Sequence, residues 1–285
     1  MAEFMWEFLV FGLKQARCCI FAALFFGALF LSRHVPLFGL PRYDFICLAA
    51  LLIQAVLLIC RVETRDEALT LCAFHALGVA LELFKTHPSV ASWSYPESGY
   101  LKLGTVPLYS GFMYAAVASY MCQAWRVLKL RLERYPPYVW SVPLCAAVYL
   151  NFFTEHYFWD VRWPLAALVV WVFRRTRVAF RVTDRERKMP LLLSFALIGL
   201  FVWVAENVST LLGAWVYPEQ RAAWQMVNVN KISSWVLLVI ISFLIVAELK
   251  HMRDKRRQRS TDNPDLKCAL LAGPAMAAPP AASAG

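Results

Sequence analysis

Charge is what this sequence has least of. Only 17% of its 285 residues are charged, against about 25% in an ordinary soluble domain, while 60% are hydrophobic and mean hydropathy is +0.52. A water-soluble core would need amphipathic stripes, and the apolar runs here are apolar on nearly every side, which excludes it. Catalytic and cofactor signatures are missing too. There is no P-loop, no GxGxxG, no GxSxG elbow with a following acid and histidine, and no HExxH or HxxxH pair. The eight cysteines (Cys18, Cys19, Cys47, Cys60, Cys72, Cys122, Cys145 and Cys268) form no CxxC pair and no metal knuckle. They read as small core residues in a chain that uses no disulfides. Glu3 and Glu7, with no small-residue cleavage site after them, argue against a cleavable signal peptide.

What is present is a series of apolar runs near the length of a bilayer span, about 20 residues. They predict an all-α polytopic membrane bundle of about eight transmembrane helices. The spans fall near residues 16–31, 43–60, 68–84, 106–125, 138–157, 163–180, 191–215 and 232–249. Residues 1–15 form an interfacial helix or extend span one, residues 16–134 and 135–250 hold four spans each, and 251–285 is a basic, then Ala/Pro-rich tail expected to be disordered. With the N-terminus inside, the inner side carries Lys14, Arg17, Arg61, Arg65, four basic residues in 126–134, seven in 174–188 and seven from Lys250 onward. The outer side carries Arg33, Arg42, Lys85, Lys102, Arg162, Arg221 and Lys231. That asymmetry predicts both termini in the cytoplasm. The net charge of +10 is thus a topology signal and a match to anionic membrane lipid, not a nucleic-acid surface.

The two halves repeat one plan. Phe74–Glu97 (FHALGVALELFKTHPSVASWSYPE) and Phe201–Glu219 (FVWVAENVSTLLGAWVYPE) align Glu82 with Glu206, Thr86 with Thr210 and WSYPE with WVYPE. Leu48–Leu51 matches Leu165–Leu168, and the offset drifts only from 117 to 124 residues. Four spans per half gives direct repeats, which place functional sites at the repeat interface.

Glu82 and Glu206 are the leading candidates, because an acid inside a span is costly, roughly 2.5–3.5 kcal/mol at mid-depth, and is kept for a partner or a task. His75 lies two turns before Glu82 on nearly the same face, with Lys85 and Thr86 after it; Asn207 and Thr210 attend Glu206. The alternatives are a structural Glu82–Lys85 ion pair and an interhelical hydrogen bond from Glu206. Trp93, Tyr95, Trp215 and Tyr217 fit an aromatic belt closed by a proline turn. In the other reading Glu97 and Glu219 face the same pocket as the two span glutamates. A third cluster, Asn151, Glu155, His156 and Asp160, ends span five as a hydrogen-bonded network or, with His34 and His87, a metal site without diagnostic spacing.

These motifs carry a resemblance. FHALGVALELFKTHPSVASWSYPE, GTVPLYSGFMYAAVASY, YLNFFTEHYFWDVRW and FVWVAENVSTLLGAWVYPEQ resemble the YoaT-like bacterial integral-membrane family (domain of unknown function 817) over roughly residues 40–250. The resemblance implies a bacterial inner-membrane protein and transfers no activity. Each half is also similar to the membrane domains of heterodimeric carotenoid (lycopene) cyclases, in the order Glu82, Trp93, Tyr95, Pro107-Leu108. It departs at Tyr109-Ser110, where that pattern has two acids, and the second half reads Val227-Asn228-Val229-Asn230. Three functions follow as expectations. One is a membrane enzyme using Glu82, Glu206 and His75 as acid and base on an apolar lipid or isoprenoid, without a cofactor. The others are a small-solute or proton-coupled transporter and a non-catalytic assembly or sensor protein.

Overall fold

The computed structural model describes residues 2–247 apart from 155, 156, 158, 241 and 244. Its sites lie in one compact unit formed by residues 1–244. The chain is mostly helical: α1 (Ala2–Cys18), α2 (Ile20–His34), α3 (Arg42–Ile59) and α4 (Arg65–Lys85), then α5 (Ser110–Val127), α6 (Tyr138–Thr154), α7 (Arg162–Phe173), α8 (Leu191–Leu211) and α9 (Lys231–Ala247). Three of these, α3, α4 and α8, are long and apolar enough to cross a membrane. α1 and α2, bent by 61° at Cys19, qualify together as a fourth. α6, α7 and α9 are apolar but shorter.

Helices occupy every stretch drawn as a span, but several boundaries need correction. Span six does not run to Phe180. α7 stops at Phe173, and Arg177–Arg181 is strand β4. RVAFR is three apolar residues between two arginines, and a short apolar run of that kind does not by its period distinguish the end of a helix from a strand. β4 pairs antiparallel with β3 (Arg131–Glu133) and β5 (Glu186–Pro190) in a three-stranded sheet. Span four likewise begins late. A hairpin, β1 (Lys102–Leu103) with β2 (Val106–Pro107), turns at Gly104 before α5 starts. The tail at 251–285 lies outside the described residues.

The packing that positions the site is centred on α4. Its start is fixed by a capping box, in which Thr64 Oγ1 accepts from the Glu67 amide at 3.2 Å and Glu67 Oε2 accepts from the Thr64 amide at 2.9 Å. α4 packs most extensively on α5. The two approach closely because Gly78 leaves room for the Tyr114 ring and Gly111 leaves room for His75. α8 ends in a Schellman turn: Gly213 has φ +65°, its amide bonds Thr210 O at 2.9 Å, and the Ala214 amide bonds Ser209 O at 2.9 Å. A side chain at Gly213 would meet Arg33 as well as an unfavourable φ. The seven described cysteines are free.

Candidate functional site

Glu82 sits in the last turn of α4 and is only 2% exposed. The segment after the helix folds back so that its aromatic signature covers the carboxylate. Trp93 Nε1 donates to Glu82 Oε2 at 2.6 Å and the Tyr95 hydroxyl donates to the same oxygen at 2.8 Å. The other oxygen accepts from the Tyr114 hydroxyl on α5 at 2.9 Å. Among the described residues no cation is paired with it. Lys85, three residues on, lies over the Phe152 ring at 4.1 Å instead, so the Glu82–Lys85 ion pair does not form. Three neutral donors offset part of the cost of burying a carboxylate, each worth about 1.5–3 kcal/mol to a charged acceptor.

Glu206, in the last two turns of α8 and also 2% exposed, repeats this arrangement with fewer donors. The Tyr217 hydroxyl donates to Oε1 and Trp235 Nε1, on α9, donates to Oε2 at 2.5 Å. Each glutamate is therefore held by the tyrosine of its WxYPE signature and by an aromatic residue of the next helix. Burial, then the neighbouring carboxylate, pushes Tyr95 and Tyr217 well above the ordinary tyrosine range. Tyr217 feels the charge of both glutamates.

The two signatures meet. Ser94 and Val216, the second residues of WSYPE and WVYPE, form an antiparallel bridge with amide–carbonyl distances of 2.9 and 3.0 Å. Beside it the Trp93 and Tyr217 rings pack edge to face at 6.0 Å, which links the Glu82 and Glu206 networks directly. Arg42, at the start of α3, clasps the junction. It donates to Glu97 Oε1 at 2.5 Å, Ser32 Oγ at 2.9 Å, Gly213 O at 3.0 Å and Leu212 O at 2.5 Å. The Tyr109 hydroxyl donates to Ala214 O.

The remaining candidates divide. Glu97 is engaged by Arg42 and Glu219 is exposed, so neither faces the span glutamates. His75 is two turns from Glu82, a rise of about 10.5 Å. It packs on Phe112 at 4.4 Å, and its buried Nδ1 has no hydrogen-bond partner among the described residues. Thr86 caps its own helix through Glu82 O at 2.8 Å. Asn207 receives the Val227 amide at 2.9 Å, and Thr210 Oγ1 receives Trp224 Nε1 at 3.1 Å. These two hold the segment after α8 in place. Trp215 is buried, but Glu206 takes its indole donor from Trp235. Asn151 accepts the Val161 amide at 3.0 Å and approaches Asp160 at 3.3 Å. Glu155 and His156 lie outside the described residues. Among the described residues no group of three or more His, Cys, Asp or Glu could hold a metal.

Sequence reasoning missed Tyr114 and Trp235. The signal was available, because they are 121 residues apart, within the 117–124 offset that separates the aligned segments. It also missed the buried acid just before α4. Glu63, 2% exposed, accepts from Gln54 Nε2 at 2.6 Å and from the Ser119 hydroxyl, beside Gln123 Nε2 at 3.4 Å.

The model of a family described as "Protein of unknown function (DUF817)" matches residues 7–243. The chain is 52% identical over 245 residues to the "Uncharacterized protein YoaT" of Bacillus subtilis (strain 168), covering 86% of this chain and 92% of that one. No solved structure matches.

Proposed function

This chain belongs to the DUF817 family, and from that footing we propose that it is a membrane-embedded acid/base enzyme acting on an apolar lipid or isoprenoid, with Glu82 and Glu206 as its proton-handling pair. The observation that carries the reading is the pairing of two buried carboxylates across one aromatic junction. A helix-locking role would be served at lower cost by glutamine, which binds the same donors without a charge to desolvate. In the reaction one glutamic acid gives its proton to a double bond, and the cation formed returns a proton to the other carboxylate. The double bond moves, both glutamates have exchanged a proton, and no oxidant or reductant is consumed. Both donors on Glu82 Oε2 come from the WSYPE segment, so its departure frees the oxygen that would face a substrate.

The same reading takes the chain as eight spans in two direct four-helix repeats, in the bacterial inner membrane with both termini cytoplasmic. The matched glutamate–tyrosine pairs and the bridge between equivalent signature residues support the repeat. The predominance of Lys and Arg in the proposed inner segments supports the orientation. The likeness to carotenoid cyclases rests on residue order alone.

Glu82→Gln and Glu206→Gln test the proposal. Each amide can keep its hydrogen bonds, since Tyr114 and Tyr217 hydroxyls can accept from the new NH2 while the indoles still donate to the carbonyl oxygen. Both variants should fold and accumulate like the wild type, while the lipid extract of producing cells reverts to that of cells lacking the protein. Wild-type-like extracts from both variants would sink the reading. Joined direct repeats also favour a transporter; solute counterflow in proteoliposomes, with lipid extracts unchanged between producing and non-producing cells, would select that one.

A further inference from the structure

The end of the bundle opposite Glu82 carries a different site. Arg126 pairs with Glu67 at 3.2 Å, which sets the end of α5 beside the start of α4. From there the chain enters β3, and the Arg181 amide bonds Leu128 O at 2.8 Å, joining β4 to the same corner. Between them lies an open surface cleft of about 420 Å³ lined by Trp125, Lys129, Leu130, Arg131, Arg181 and Glu186, with Lys129, Arg131 and Arg181 exposed. Its volume falls in the range of small-ligand sites.

The lining is strongly one-sided in charge. Arg131 is paired with Glu186 at 2.6 Å. Lys129 and Arg181 have no carboxylate partner among the described residues, and Lys14 reaches the rim through Arg181 O at 3.4 Å. Three cations and one carboxylate thus line the cleft, with Lys14 at its rim and Lys188 3.9 Å from Glu186. Lys129 holds φ +50° as the residue that closes α5 in a Schellman turn, its amide bonding Arg126 O at 3.4 Å and the Leu130 amide bonding Trp125 O at 3.0 Å, which fixes where its side chain leaves the helix end. Trp125 and Leu130 supply an apolar wall next to the cations.

We propose that this cleft binds a phosphate-bearing anion, carried on a membrane lipid headgroup or free as a phosphate ester. The Arg181 guanidinium offers a planar fork for two phosphate oxygens and Lys129 adds a point charge. An acyl chain, where present, would leave along Trp125 and Leu130. None of these residues belongs to the Glu82–Glu206 network, so the two proposals stand or fall separately.

Native mass spectrometry of the delipidated full-length chain in detergent provides the test, with dioleoyl phosphatidylglycerol, dioleoyl phosphatidylcholine and inorganic phosphate as probes. Phosphatidylglycerol should be retained roughly tenfold better than phosphatidylcholine, and K129A/R181A should remove about that factor. R65A/R175A, which deletes the same charge from exposed positions elsewhere, should leave retention unchanged. E186Q should tighten binding, and it decides the question if the double variant fails to fold. Displacement of the lipid by millimolar phosphate identifies the phosphate group as sufficient; no displacement identifies the lipid as the ligand. Equal retention of the two lipids, equal losses in both double variants, or no gain in E186Q would overturn the proposal.

Discussion

The two glutamate sites follow one plan with unequal fastening. Around Glu82 the aromatic segment is stitched into its own half. Asp44 accepts the Tyr100 and Leu101 amides at 2.8 Å each, Lys102 reaches Glu97 O at 3.1 Å, and the β1–β2 hairpin follows. Around Glu206 the segment is held by Asn207, Thr210 and Gln220, and then by residues of the other half, Arg42 and Tyr109. Glu82 has three donors and Glu206 two. The first site is self-sufficient, whereas the second depends on the first for its closure.

The comparison is tested most severely by removing the acceptors. Glu82→Ala orphans Trp93, Tyr95 and Tyr114; at about 1–3 kcal/mol per orphan, it should cost roughly 3–9 kcal/mol. Glu206→Ala orphans two donors and should cost about 2–6 kcal/mol. Denaturant unfolding in one fixed detergent ranks them. A loss for Glu206→Ala equal to or above that for Glu82→Ala would reverse the ordering drawn here.

Dependence of the second half on the first rests on Arg42, whose side chain is 11% exposed. Arg42→Met leaves Glu97 and the Leu212 and Gly213 carbonyls without their shared donor, at about 3 kcal/mol. Limited proteolysis should then cut within 212–230 sooner than within 86–101. Arg42→Lys should recover only part of the protection, because an ammonium cannot fork to two carbonyls and a carboxylate as a guanidinium does. Equal cutting of the two segments would mean that the second is not held from the first half.

Much of this was legible from residue type and spacing. The glutamates and signature tyrosines were found because acids inside apolar helices are costly and WxYPE occurs twice. The reach of Arg42 to the second segment was not found, since its partners there are backbone carbonyls about 170 positions away and a carbonyl has no sequence signature. Tyr114 looked like any aromatic in an apolar helix; only its approach over Gly78 brings it to Glu82. The β3–β4–β5 sheet was hidden by its apolar residues, because Val178, Ala179 and Phe180 extend the hydropathy of α7 past its true end. Of the two readings of the signatures, the one that aimed Glu97 and Glu219 at the span glutamates is not the arrangement seen, since Arg42 engages Glu97 and Glu219 is exposed. Proximity in sequence does not fix which way a turn aims its last residue.

Glycine contacts give a smaller test of the same contrast. An alanine methyl at position 78 would stand 2.4 Å from Tyr114 Cδ2, and one at 199 would stand 2.4 Å from Val236 Cγ2 and 3.2 Å from that residue's Cα. Each substitution should cost about 1–3 kcal/mol by overpacking. They differ in coupling. Gly78→Ala displaces the ring that serves Glu82, so its cost should overlap that of Tyr114→Phe in a double-mutant cycle. Gly199→Ala should add to Tyr114→Phe within about 0.5 kcal/mol. Additivity in both cycles would separate Gly78 from the Glu82 site.

The smallest effect asks whether both tyrosines are sealed to the same degree. Tyr95 and Tyr217 are raised well above 10.0 in the folded chain, by burial first and by Glu82 and Glu206 next. Below pH 10 the folded and unfolded chains both hold these protons, so the full stability is present. Above it the unfolded chain releases them and the folded chain does not, so each tyrosine removes up to about 1.4 kcal/mol per pH unit until its own folded value is reached. Other tyrosines add to the total slope, so the informative quantity is the difference from the wild type. Tyr95→Phe and Tyr217→Phe should each flatten the fall in stability between pH 10 and 11 by the same amount. A flattening by Tyr95→Phe alone would mean that Tyr217 titrates in the folded chain near its ordinary value. The second carboxylate would then be open to water while the first stays closed, and the contrast between the halves would be one of access as well as of fastening.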